Sequence, residues 1–534
     1  MCLGVWPTSA SARGWVASLG QRSRRAVAGG GTAGGGVAVV LLVVLVPANA
    51  SASGAGVGLR VGHLIPVSQL VQRSAAALPR VVPQFSDGAR LVGRGGSPSL
   101  SWGTGRSPIL RESFEGIFDP GITPPDTNGA AGPTRQVEIV NSMLAIWDRG
   151  TPPSLLAQMP LATLTGSNGF LVDPRVSWDA QTGRFYYAVA DDINNLLLTG
   201  FSRTSDPSSA SDWCRYAIPQ VNHIDQPRLG DSQDFILTGF FLFFGGPQVA
   251  WYQKPSPGPD CPTSLQSGQQ GVPAADTVTA DPAHEIDPTA TGYVLSGQSD
   301  AAGGHLDVIR VTKDASGSAV FSSPASIPVA AFASASPAPQ EGTSQLLDVG
   351  DPRLQQVVGA VDPSRHGRLA LWTDQTIAGG AGAAIRWYEI DPATDGLFQS
   401  GTVASPTLWA FYGAISSDRL VNGRIRRFGD SMVLTFDTSS PTSHPTIWVA
   451  SKRRFAPQST PLLIKRSTEP YLSYDCPAAG DVCRWGDYSG AAPDPAADPH
   501  RAHGVVWGAS EWNVANPNPL FATAWRTWIF TASP

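Results

Sequence analysis

Three arginines follow a proline in a returning phrase: Asp173-Pro174-Arg175-Val176, Gln226-Pro227-Arg228-Leu229 and Asp351-Pro352-Arg353-Leu354. A guanidinium stays charged at physiological pH, and its planar fork grips a carboxylate through two parallel hydrogen bonds. If the three loops share one phase of a repeat, Arg175, Arg228 and Arg353 converge on an anion. The plainer reading pairs each arginine with an aspartate of the neighbouring unit and fixes the loop.

The elements around the phrases decide whether convergence is geometrically reasonable. Short runs of strand composition recur from Phe114 onward, bounded by Gly, Pro, Asp and Asn. Examples are Val137–Trp147, Arg184–Ala190, Phe235–Phe244, Leu369–Thr373 and Trp525–Phe530. No segment carries a long amphipathic helix. Asp179…Gly183 and Asp362…Gly367 are turns, with Asp opening each and Gly accepting a left-handed backbone before an alternating strand. Seven loops in roughly one phase centre on Asp126, Arg175, Arg228, His284, Arg353, Tyr412 and Asp487, about 50–75 residues apart. This pattern predicts an all-β propeller of four-stranded blades, seven preferred and six the alternative. Residues 114–125 are expected to complete the blade made by the C-terminal strands, which closes the ring and removes sheet edges.

Two further motifs carry a resemblance. Pro124-Pro125-Asp126-Thr127-Asn128-Gly129 with Val140-Asn141-Ser142, and Arg484-Trp485-Gly486-Asp487-Tyr488-Ser489 with Asp494-Pro495, resemble the opening and closing motifs of exported bacterial sialidase-like β-propeller proteins. Sialidases hold a substrate carboxylate with an arginine triad and use a tyrosine nucleophile, a glutamate base and an aspartate acid. The resemblance therefore implies Tyr488 or Tyr412 as nucleophile, Glu285 or Glu389 as base, and Asp126 as acid. The chain departs from those enzymes in having no Ser-x-Asp-x-Gly-x-Thr-Trp turn and no Phe-Arg-Ile-Pro phrase. Asp487 and Tyr488 read more simply as loop stabilisers, with Asp accepting backbone N–H groups and Tyr filling a gap between blades. Trp409, Trp485 and Trp512 lie in loop-like stretches and are the aromatics best placed to stack on a sugar; the other tryptophans read as packing between blades.

Composition bounds the rest. The chain has 534 residues, 42% hydrophobic and 15% charged, with a net charge of −5 that offers no basic footprint for nucleic acid. Residues 1–50 read as an export signal: Arg22, Arg24 and Arg25, the apolar run Val37 to Val46, then small residues around Ala48-Asn49-Ala50. The run is half of the roughly 20 residues that span a bilayer, so no lasting membrane span is expected. Either general secretion or the twin-arginine route fits Ser23-Arg24-Arg25. Residues 51–113 read as a low-complexity lead-in, and 114–534 as the propeller.

Beyond the signal remain Cys214, Cys261, Cys476 and Cys483, an even set suited to an oxidising compartment. The favoured pairings of the three available are Cys214–Cys261 and Cys476–Cys483. No metal ligation by these thiols is expected, and no cofactor. Calcium is the one ion that Asp126-Thr127-Asn128-Gly129 allows, although an Asx turn explains that segment more simply. The expected protein is a secreted monomer that binds extracellular glycan or protein through loops at one face, with Arg175, Arg228, Arg353, Trp485 and Asp487 as its ligand residues. The alternative is a sialidase-like glycoside hydrolase.

Overall fold

The computed structural model describes residues 62–64, 102–119, 122–272, 280–300, 303–515 and 523–534. It is 55% strand and 3% helix. Seven sheets of at least four strands, antiparallel but for one short parallel pairing, form a ring, a seven-bladed β-propeller.

Blade 1 is Asn128–Ala131, Arg135–Ile139, Met143–Asp148 and Leu155–Pro160. Blades 2, 3, 5 and 6 start on the inner strands Leu171–Asp179, Ile224–Asp231, Leu354–Asp362 and Trp409–Ser417. Blade 4 has a broken inner strand: Asp281–Pro282 pairs within the blade, while His284–Glu285 pairs in parallel with the inner strand of blade 5. Blade 7 runs outward as Gly490–Pro493, Val506–Ala515 and Thr523–Ser533, and takes its outermost strand, Ile109–Glu115, from the segment that precedes blade 1.

The closing strand therefore lies earlier than residues 114–125. Trp102, also assigned by composition to the lead-in, packs edge-on against Phe436 and Trp448 of blade 6. Its glycine- and serine-rich surroundings hid a segment that is held by this aromatic and by backbone bonds from Thr104 and Gly105 to Gln458. The stretch Val137–Trp147 is likewise two strands. Val140 accepts from Met143, and Asn141 turns inward to bond Asp126.

Each blade buries apolar side chains against the next. Phe185, Tyr187 and Trp213 of blade 2 pack with Val137, Ile139 and Leu144 of blade 1, and comparable layers recur around the ring. The Asp…Gly turns form as expected: Asp179 accepts from the backbone N–H groups of Gln181 and Thr182, and Gly183 (φ 66°) is left-handed. Disulfides join Cys214 to Cys261 and Cys476 to Cys483.

Candidate functional site

The innermost strands do not run straight past the axis. The pairing register breaks between Val172 and Arg175, Asp225 and Arg228, Leu354 and Val357, and Phe411 and Ala414. Two residues there oppose one, which kinks the strand and re-aims side chains. In three of these bulges the first residue is left-handed: Asp173 (φ 54°), Gln226 (φ 49°) and Tyr412 (φ 49°). Asp126 (φ 52°) begins blade 1 in the same conformation. Proline follows Asp173 and Gln226 because a bulge leaves a ladder position with no N–H to give.

The phrase therefore marks the bulge in blades 2 and 3. In blade 5 it does not: the bulge falls on Gln355-Gln356, so Val357, and not Arg353, occupies the register of Arg175 and Arg228. The three arginines still gather near the axis, but in different roles. The Arg175 guanidinium lies 3.4 Å from the Tyr488 ring centroid, and that of Arg228 lies 5.1 Å from it. Gln226 Oε1 accepts from Arg228 at 3.0 Å and from Arg353. Arg353 is committed to Asp351, donating from Nε at 2.6 Å and from Nη2 at 2.5 Å. Burial would raise Asp351, but the guanidinium beside it holds its carboxyl below the usual range. That is the structural pairing, made within the loop and not to a neighbouring blade.

The sequence motifs meet at this centre. Asn141 donates to Asp126 Oδ2 at 2.7 Å and accepts the Asp173 N–H at 2.7 Å, so it ties blade 1 to blade 2. Asp173 Oδ2 accepts the Gln226 N–H at 3.0 Å and passes the link to blade 3. Asp126 Oδ1 accepts the Asp487 N–H at 3.0 Å, joining blade 7 to blade 1. The Tyr488 hydroxyl donates to the Pro174 carbonyl at 3.3 Å.

A cavity of about 60 Å³ runs along the inner strands below this layer. Its deep lining includes Asn128, Arg175, Arg228 and Gln355, all buried. Trp178, Ala180, His284 and Pro493 line the strand-end side and are partly exposed. A water occupies roughly 10–15 Å³ by this measure, so the space holds on the order of five waters. It admits a carboxylate or a small side chain, not a pyranose ring. Arg175 is 5% exposed, yet its Nε and Nη2 have no hydrogen-bond partner, and neither has Arg228 Nε.

The layer above is acidic. Burial and the neighbouring Asp487 and Asp173 push the Asp126 carboxyl well up. Burial, with Asp173 beside it, pushes Asp225 up to about 8. Arg484 forms an ion pair with Asp487.

The catalytic set implied by the resemblance is not assembled. Glu285 accepts from Thr289 and sits among Asp231, Lys254 and Asp287. Glu389 accepts from Gln399 in the outer half of blade 5. The charged groups around Tyr488 are Asp126, Asp173, Arg175, Arg228 and Asp487, and those around Tyr412 are Asp348, Asp487, Arg484 and Asp126. Burial and these carboxylates raise both phenols, opposite to what a nucleophile needs. Trp485 is fully buried and donates to Asp437 at 3.0 Å, so it shows no face to a sugar. Trp512 is 6% exposed and stacks edge-on with Trp528. Trp409 is half-buried.

Fold and site together define a seven-bladed β-propeller with a charged axial channel. No family model and no curated protein matches the chain. Solved propellers with which it aligns include the Dos1 propeller (11% identity, 79% of this chain and 94% of that one, TM-score 0.35). Others are the WD40 domain of SCAP from fission yeast (10%, 74% and 81%, TM-score 0.31) and a subtype N11 neuraminidase-like protein of A/flat-faced bat/Peru (8%, 83% and 97%, TM-score 0.33).

Proposed function

We propose that the protein is a secreted, monomeric binding module of the sialidase-like propeller kind, and that it captures an extracellular glycan or protein through a pendant carboxylate. One observation carries this reading: Arg175 is buried with two donors unmatched, beside Arg228, in a cavity of about 60 Å³. Buried guanidinium groups are ordinarily hydrogen-bonded, and an unmatched pair of N–H groups suits the two oxygens of a carboxylate. The cavity's size supports entry of the acidic group alone, with the rest of the partner lying on the face around Trp178, His284 and Pro493. The disulfides suit an oxidising compartment, and no described helix is long and apolar enough to cross a membrane.

The test is calorimetric titration of the full chain with acidic peptides, with acidic oligosaccharides and with neutral counterparts. Only acid-bearing ligands should bind, acetate should compete, and Arg175→Met should weaken binding at least tenfold. Equal binding of the neutral ligands, or an unchanged affinity in Arg175→Met, refutes the reading.

A further inference from the structure

Asp126, Asp173 and Asp487 come from three different blades, and each can place one carboxylate oxygen so that all three lie within 4.8 Å of one another. Asp126 and Asp173 are buried, and Asp487 is partly buried. Arg484 pairs with Asp487 at the edge of the cluster. A second observation comes from blade 6. Tyr412 is 2% exposed and its hydroxyl has no hydrogen-bond partner. The charged groups around that hydroxyl are Asp348, Asp487, Arg484 and Asp126. Tyr412 stands in the blade 6 bulge with a left-handed backbone, as Asp173 does in the blade 2 bulge.

We propose that Asp126, Asp173 and Asp487, with the Tyr412 hydroxyl beside them, form a calcium site at the head of the channel. The donors are all oxygen, the set a hard cation prefers. Calcium binds oxygens at about 2.3–2.6 Å, so two ligands on one ion stand up to about 5 Å apart; magnesium, at about 2.0–2.1 Å, draws them within about 4.2 Å. All three oxygens lie within 4.8 Å of one another, inside the reach of one calcium ion. The site links blades 1, 2 and 7 at the point where the ring closes, and it is separate from the arginine-lined cavity below.

The full chain, stripped with chelator, is titrated with terbium while luminescence sensitised by nearby tyrosine and tryptophan is read, and with calcium and magnesium by calorimetry. One terbium per chain is expected, displaced by calcium at far lower concentration than by magnesium. Asp173→Asn should lower calcium affinity at least tenfold with an unchanged circular dichroism spectrum, because asparagine tolerates the left-handed backbone. Tyr412→Phe, which removes only the hydroxyl, should fold and bind calcium several-fold more weakly. Absence of saturable calcium binding in the wild type overturns the proposal. So does full affinity in a folded Asp173→Asn protein.

Discussion

Replacing Arg175 by methionine should leave the empty protein as stable as the wild type or more so. The structure sets the size of the effect. Two buried donors lack partners, and each unmatched group costs about 1–3 kcal/mol, or roughly 2–6 kcal/mol together. The guanidinium recovers part of this by lying 3.4 Å from the Tyr488 ring, a contact worth about 2 kcal/mol when desolvated. Methionine keeps a comparable apolar stem and adds its own favourable sulfur–ring contact. The balance is a gain of about 0–4 kcal/mol for the variant. Urea unfolding followed by tryptophan fluorescence measures it, with and without saturating acetate. The wild type should gain about 2.7 kcal/mol from acetate at a hundred times its dissociation constant, and the variant nothing. A variant less stable than wild type by more than about 1 kcal/mol, and still stabilised by acetate, would show that Arg175 holds the blades together and that the anion binds elsewhere.

Asn141→Ala removes the bonds to the Asp173 N–H, to Asp126 and to the Pro124 carbonyl; a loss of about 3–5 kcal/mol is expected in thermal unfolding. Glu138 should make stability fall with rising pH. Burial raises its carboxyl to about 7, so the folded chain keeps a proton that the unfolded chain releases above about 4.5. This group's contribution is complete below pH 4.5 and declines by about 3 kcal/mol on the way to pH 7; Glu138→Gln should flatten that part of the profile. Trp485→Phe should cost about 2–3 kcal/mol, through the lost bond to Asp437 and lost packing against Tyr471, and leave ligand titrations unchanged.

The ring was readable because strand composition and turn residues repeat whether or not the phrases are identical. All seven loop centres fall within an inner strand or up to three residues before one, including His284, where that strand is broken. The phase of the arginines was less readable. Asp351-Pro352-Arg353 repeats the letters of Asp173-Pro174-Arg175 but sits four residues ahead of its register, because a bulge is a property of pairing and not of one strand's residues. The same limit hid Asp173, whose part at the centre follows from its left-handed backbone. Asn141 was quoted only as part of a motif; a buried amide serving two backbone groups and a carboxylate cannot be distinguished in sequence from a turn residue. Trp485 was misplaced because a Gly- and Asp-rich stretch reads as a surface loop, whereas this one folds inward beside Asp437.

The outermost strand of blade 7 precedes blade 1 in the chain, while its neighbour Thr523–Ser533 follows blade 6. During synthesis Ile109–Glu115 waits with its ladder unmatched until more than 400 residues have followed. A chain that stops short of Thr523 strands that segment as an open sheet margin, ready to pair with another molecule. Its sequence, Ile-Leu-Arg-Glu-Ser-Phe-Glu, carries three charges in seven residues, which discourages such pairing before the circle is joined.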